Sequence, residues 1–132
     1  MPIVESGENL AVTPTGLPRL RVLVIEDEAM VAMLIQDTLA DIGCEVIGIA
    51  SRFNEAIEKV KSLAFDMAIL DLNLNGRQAL PIADSLAERG IAFVVATGYG
   101  AMNLSESLQR APILQKPFRQ RDLERALRVA LI

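Results

Sequence analysis

The chain has no histidine and no tryptophan among its 132 residues, and aromatic residues make up only 4% of it. Without imidazole, Ser-His-Asp triads and most zinc hydrolase sites are excluded. The single Cys44 has no partner for an internal disulfide, which fits a reducing compartment and leads us to expect a cytoplasmic chain. No apolar run approaches the roughly 20 residues of a membrane span. The N-terminus lacks the basic-then-apolar pattern of a signal peptide. The formal net charge is −4 and no basic cluster of the kind a nucleic-acid footprint requires is found, so direct nucleic-acid binding is not expected.

What is there is aliphatic. Apolar residues are 52% of the chain, enough at this length for one domain with a sizeable core. Residues 1–18 are punctuated by Gly7, Pro14, Gly16 and Pro18 and carry no periodicity, so they read as a flexible tail, with a partner-binding arm as the alternative. The domain proper is expected over residues 19–132.

Leu20 to Ile25 is a short aliphatic run followed by Glu26-Asp27-Glu28. Helical spacing then takes over through Met30, Met33, Leu34 and Leu39, with Gly43 as a natural stop. Glu45 to Ala50 reads as a second strand, and Ser51 as the cap of a helix carrying Ala56, Ile57, Val60 and Leu63. Asp66 to Leu70 is a third strand, and a helix is expected from about Arg77 to Glu88 with Pro81 in or near its first turn. Ile91 to Ala96 is a fourth strand, a short helix spans Asn103 to Gln109, and Pro112 to Leu114 is a fifth strand. A last helix runs from Gln120 to Leu131 with Leu123, Ala126, Leu127 and Leu131 inward. Strand and helix alternate five times, which predicts a flavodoxin-like, doubly wound α/β fold: five parallel strands in the order 2-1-3-4-5, helices on both faces.

In such a sheet, ligands bind beyond the carboxyl ends of the strands. The polar residues expected there are Glu26 and Asp27 after strand 1, Asp71 after strand 3, Thr97 after strand 4 and Lys116 after strand 5. Asp71 stands out, since Ala68-Ile69-Leu70-Asp71-Leu72 reads as a strand buried on both faces, which has no structural need for a charge. Three carboxylates in one cleft repel each other, and a divalent cation relieves that. Oxygen ligands with no Cys or His nearby favour Mg²⁺. With Lys116 as a compact cation and the Thr97 hydroxyl as a donor, Asp71 is placed to attack a phosphoryl group and form an acyl phosphate. Each residue alone also has a plainer reading. The acids suit a helix N-terminus, Asp71 a turn or cap, Thr97-Gly98 a loop start and Lys116-Pro117 a solvated turn.

From Arg19 to Ile132 the sequence resembles the receiver domain of bacterial two-component response regulators, the CheY-like fold. Val24-Ile25-Glu26-Asp27-Glu28 is similar to the family's acidic pair, and Ile69-Leu70-Asp71-Leu72-Asn73-Leu74 to its phosphoacceptor stretch. Ala96-Thr97-Gly98 matches the switch hydroxyl, and Gln115-Lys116-Pro117-Phe118 the Lys-Pro-Phe signature. The resemblance implies that Asp71 takes a phosphoryl group from a sensor histidine kinase or a histidine phosphotransfer protein and thereby switches binding to a downstream protein target. It implies Mg²⁺ held by Glu26, Asp27, Asp71 and the backbone carbonyl of Asn73, and a cis Lys116-Pro117 peptide. It also allows a homodimer on phosphorylation.

The sequence departs from the family in two places. Ile113 occupies the position of the usual aromatic switch, and Tyr99, the only tyrosine, is the candidate to replace it. The stretch from Thr97 to Lys116 is short for the family. With Phe93 to Gly100, these features are similar to the FATGUY receiver subgroup, although Val95 stands at its phenylalanine position. Two other classes compete. A Mg²⁺-dependent phosphatase of the haloacid-dehalogenase type wants a second Asp two residues after the nucleophile; Asn73 there cannot give a proton. A flavin or nucleotide binder needs a phosphate loop after strand 1, where Glu26-Asp27-Glu28 repels phosphate. The chain is therefore expected to be no enzyme beyond its own phosphorylation and dephosphorylation, and a degenerate receiver acting only as an interaction module is the remaining alternative.

Overall fold

The computed structural model describes residues 16–98 and 111–132. Five strands form one parallel sheet: β1 (Arg21–Ile25), β2 (Glu45–Ala50), β3 (Met67–Asp71), β6 (Ala92–Thr97) and β7 (Ile113–Gln115), in the order β2-β1-β3-β6-β7. The two intervening numbers belong to a small antiparallel hairpin, β4 (Asn73–Leu74) with β5 (Arg77–Gln78), so the order is the expected 2-1-3-4-5. The described helices are α1 (Ala29–Ile42), α2 (Phe53–Ser62), α3 (Leu80–Glu88) and α4 (Gln120–Ala130).

Alternation along each strand sorts the core into two layers. Val22 and Val24 of β1, Met67 and Ile69 of β3, and Val94 and Ala96 of β6 face one way and pack against Ile35, Leu39 and Ile42 of α1 and Leu123 and Leu127 of α4. Leu23, Ile25, Ala68, Leu70, Phe93 and Val95 face the other way, onto Ala56 and Val60 of α2 and Ile82 and Leu86 of α3. Both faces of the sheet are thus covered, which is why its strands are apolar without period. Among the described residues no helix is long and apolar enough to cross a membrane.

Several local expectations are corrected. Leu17, within the stretch read as a tail, is only 2% exposed and belongs to the core layer with Leu20, Leu123 and Leu127. An isolated leucine between Gly16 and Pro18 carries no periodic signal, so its burial was invisible in sequence. Residues 1–15, the rest of the expected tail, lie outside the described residues, as do Tyr99 and the short helix expected over Asn103 to Gln109.

The helix expected from Arg77 starts instead at Leu80, with Pro81 at its start. Asn75 (φ 52°) and Gly76 (φ 83°) both take left-handed backbone, the requirement of a tight hairpin turn, and this draws Arg77 and Gln78 into β5. Ser51 does not cap α2; Arg52 precedes the helix, and the Glu55 carboxylate accepts the Ser51 N–H at 2.9 Å. Gly43 ends α1 in the left-handed conformation as expected. Leu131, expected inward, is exposed, because α4 ends at Ala130 before the buried stripe returns. Of the residues that marked α1, only Leu39 is on its buried side, with Ala32, Ile35 and Ile42, while Met30, Met33 and Leu34 are 84%, 60% and 52% exposed.

Candidate functional site

The carboxyl ends of β1, β3, β6 and β7 open into one cleft of about 430 Å³, lined by Asp27, Glu28, Asp71, Leu72, Asn73, Thr97, Gly98 and Lys116. The sheet register makes this convergence. Ile25 pairs with Leu70, Asp71 with Ala96, and Thr97 with Gln115, so the residues that follow each strand reach the same level.

Glu26 is 1% exposed and its carboxylate accepts the Lys116 ammonium at 2.6 Å and the Glu28 backbone N–H at 3.2 Å. The same ammonium lies 3.7 Å from Asp71 Oδ2. Asp71 is 7% exposed, and its Oδ1 accepts the Asn73 N–H at 3.2 Å. Asp27 sits nearer the surface, its Oδ2 accepting the Asn75 N–H at 3.0 Å. Thr97 is buried at the end of β6, and its carbonyl accepts the Lys116 N–H at 2.8 Å, fixing where the lysine starts. The Lys116-Pro117 peptide is cis.

Proton affinities follow from this crowding. Burial pushes the Asp71 carboxyl up to about 7, and the neighbouring Glu26 carboxylate adds to the rise; the Asn73 N–H and Lys116 oppose it only in part. Burial alone would raise Asp27, but the Asn75 N–H and further hydrogen bonds hold it below the usual carboxylate range. Burial works against the Lys116 ammonium, yet the bond to Glu26 and the charges of Asp71 and Glu26 hold it above the ordinary lysine value.

Glu26, Asp27 and Asp71 each present an oxygen, all three within 4.8 Å of one another. A hard divalent cation fits this donor set. The oxygens are close enough to share one ion, and Asp71 is protonation-prone for want of a second compensating charge. Asn73 lines the cleft, with its side-chain oxygen turned to the Gly76 N–H at 2.8 Å.

Of the residues singled out in the sequence, Glu26, Asp27, Asp71, Asn73, Thr97 and Lys116 share this neighbourhood. Ile113 does not: it opens β7 on the outer edge of the sheet, 37% exposed. Tyr99 lies outside the described residues. The sequence reading missed the hairpin as part of the site. Its turn holds Asp27 through the Asn75 N–H, Asn75 Nδ2 donates to the Ser51 carbonyl at 3.2 Å, and Arg77 stacks on Phe53 with 3.7 Å to the ring centre. The Asn75-Gly76 dipeptide straight after a buried strand was the available signal.

Comparison with known proteins agrees with the fold. The family model of the response regulator receiver domain matches residues 22–128. The chain belongs to that family, the receivers of two-component signalling. It is 34% identical over 120 residues to the transcriptional regulatory protein PdtaR of Mycobacterium tuberculosis, covering 88% of this chain but 58% of that protein. Among solved structures it superposes on SdrG from Sphingomonas melonis Fr1 with a TM-score of 0.77 at 33% identity, covering 92% of this chain and 98% of that one. A BeF3-activated conformation of SdrG gives a TM-score of 0.73 at 34% identity, covering 85% of this chain and 96% of that one. The chain thus spans little more than half the length of PdtaR and nearly all of SdrG.

Proposed function

We propose that this receiver is switched by phosphorylation of Asp71. An Asp71 oxygen attacks the phosphorus of a phosphohistidine on a kinase or phosphotransfer protein. The P–N bond breaks, the imidazole nitrogen leaves with its electron pair, and an acyl phosphate forms on Asp71. One observation carries the reading: strands that are distant in sequence bring Glu26, Asp71 and Lys116 into one buried ion-pair group. A structural carboxylate would not be placed beside another where ionisation is resisted.

Lys116 stands ready to take up the phosphoryl charge by shifting from Glu26 towards Asp71, and Thr97, buried beside it, is the hydroxyl at the switching position. Mg²⁺, held by Glu26, Asp27, Asp71 and the Asn73 carbonyl, would neutralise the acids and draw charge from the incoming phosphoryl oxygens. The BeF3-activated relative supports the same chemistry here. Asn73, which cannot donate a proton in the manner of a catalytic acid, argues against turnover of outside substrates, so the chain acts only on its own Asp71. We place this exchange in the cytoplasm.

The partner that delivers the phosphoryl group docks on α1. Met30, Met33 and Leu34 form an exposed apolar stripe on the helix that starts directly after Glu26-Asp27-Glu28, beside the cleft. The test uses Mg²⁺ with acetyl phosphate or beryllofluoride. Acetyl phosphate gives an adduct labile to base and hydroxylamine in the native chain, beryllofluoride a reversible complex there, and both are absent in Asp71→Asn. No adduct with small donors or with cognate kinases would leave an interaction module in place of a switch.

A further inference from the structure

The hairpin beside the cleft is too small to fix its own position. It has two residue pairs, Asn73 with Gln78 and Leu74 with Arg77, and even a longer hairpin is marginal alone in water. Leu74 anchors it in the core layer with Ala79 and Ile82. Two contacts tie it sideways to the junction of β2 and α2. Asn75 Nδ2 donates to the Ser51 carbonyl at 3.2 Å, and the Arg77 guanidinium lies over the Phe53 ring, 3.7 Å from its centre. That junction is itself braced. Phe53, the first residue of α2, packs against the core, and Glu55 accepts the Ser51 N–H at 2.9 Å. Lys59 pairs with Glu55 at 3.2 Å and donates to the Ile49 carbonyl at 3.2 Å.

The hairpin in turn places two donors of the acid cleft. Its Asn75 N–H donates to Asp27 Oδ2 at 3.0 Å, and β4 opens with Asn73, whose carbonyl is a proposed donor to Mg²⁺. Asp27 follows the end of β1 and is the least buried of the three clustered acids. A single N–H on one oxygen leaves other lone pairs of that carboxylate for an ion. Partners that orient a ligand before the metal arrives strengthen binding without touching the metal.

We infer that Arg77 is a positioning residue for the metal site: stacked on Phe53, it clasps the hairpin to the start of α2 and so sets Asp27 and Asn73 for the ion. The inference rests on the Mg²⁺ reading above. Its sign separates it from plain electrostatics, because removing a positive charge from the hairpin by itself favours a bound cation. Losing the clasp does the opposite. Linkage makes the effect mutual, so a bound ion also tightens the hairpin. A second arginine and ring give the contrast. Arg89 lies over Phe65 at 5.7 Å and donates to the Val60 and Leu63 carbonyls, at the far end of α2 from Phe53. That arginine joins the ends of α3 and α2 and places no residue of the cleft.

The probe is Mg²⁺ alone, titrated into the full isotope-labelled chain and followed by backbone amide shifts, with urea unfolding of each variant alongside. Arg77→Met should weaken Mg²⁺ binding by about three- to fivefold with the urea midpoint unchanged. Phe53→Leu should weaken it as much, the double variant no further, and Phe53→Tyr, which keeps the ring face, should bind as the native chain does. Arg89→Met should lower the urea midpoint and leave Mg²⁺ affinity as it was. Exchange of the Asn75 amide should be faster in Arg77→Met, and Mg²⁺ should slow it in the native chain. Native or tighter Mg²⁺ binding in Arg77→Met, effects of Arg77→Met and Phe53→Leu that add, or Phe53→Tyr as weak as Phe53→Leu would each overturn the clasp and leave the metal site standing. Affinity that falls only in step with stability, in Arg89→Met as in Arg77→Met, would overturn it too. No Mg²⁺ binding by the native chain would overturn the clasp together with the metal reading.

Discussion

Lys116 gives its shorter bond to Glu26 and not to the aspartate it serves: Nζ lies 2.6 Å from Glu26 Oε1 and 3.7 Å from Asp71 Oδ2. Glu26 is 1% exposed, so its charge has little water to fall back on. Removing one partner of such a pair strands the other. Lys116→Met should therefore destabilise the chain by about 3 kcal/mol at neutral pH, read from urea unfolding. Glu26→Gln should cost about 1 kcal/mol or less, because the ammonium keeps Asp71 within reach. Equal losses in the two variants would show that the pair is not what Lys116 contributes to stability.

The raised proton affinity of Asp71 gives stability a pH slope with a defined sign. In the unfolded chain an aspartate ionises near about 3.9, whereas in the folded, metal-free chain Asp71 holds its proton up to about 7. Between these values the folded state binds more protons, so stability falls as pH rises and the penalty is complete above the upper value. The melting temperature of the metal-free chain should drop between those limits. Saturating Mg²⁺ should flatten or reverse the drop, and Asp71→Asn should lack it. A metal-free native chain with no drop in that window would show that the Asp71 carboxyl is not strained in the fold.

Leu17 tests where the domain starts. It is 2% exposed in the layer that joins α1 and α4 to the sheet. Leu17→Ala should cost about 2–4 kcal/mol by urea unfolding, a core-sized loss from a residue outside every periodic segment. A loss within about 0.5 kcal/mol, the range of an ordinary surface change, would restore the boundary at Arg19.

The sheet and most of the site were legible because both are written in local sequence. A strand buried on both faces is an apolar run, its polar end is the next residue, and the strand order follows from the alternation with helices. That is how Glu26, Asp27, Asp71, Thr97 and Lys116 could be gathered before any geometry was known. What escaped depends on direction or on contact across the fold. Met30, Met33 and Leu34 have helical spacing, but spacing does not say which of two apolar stripes turns inward, and Ala32, Ile35, Leu39 and Ile42 form the buried one. The choice of Glu26 by Lys116 spans 90 positions and follows only from where β1 and β7 end. The hairpin was missed for a different reason: Arg77 and Gln78 continue comfortably into a helix by propensity, and the Asn75-Gly76 turn overrides that preference.

That turn carries a further prediction. Gly76 has φ 83°, and a Cβ there would meet nothing within 4 Å, so the cost of Gly76→Ala is backbone strain alone. The expected loss is about 1 kcal/mol. Because the Asn75 N–H next to it holds Asp27, Mg²⁺ binding should weaken by more than the same variant weakens the core, measured by metal titration alongside urea unfolding. Unchanged metal affinity would detach the hairpin from the site and leave it a structural turn.

On the proposed reading, the apolar stripe on α1 separates the chemistry of the cleft from the delivery of a phosphoryl group. Met33 is 60% exposed and makes no part of either core layer, so Met33→Glu should leave stability within about 0.5 kcal/mol. Acetyl phosphate reaches Asp71 through the open cleft and needs no docking face, so labelling by that donor should match the native chain. A phosphorylated kinase or phosphotransfer protein must seat its own surface beside the cleft, and a charge placed in the apolar contact should slow transfer by about tenfold or more. The ratio of the two rates is the decisive quantity, since a damaged site lowers both. Transfer slowed equally from both donors would place Met33 among the residues that shape the cleft, and transfer slowed from neither would move the kinase contact off α1.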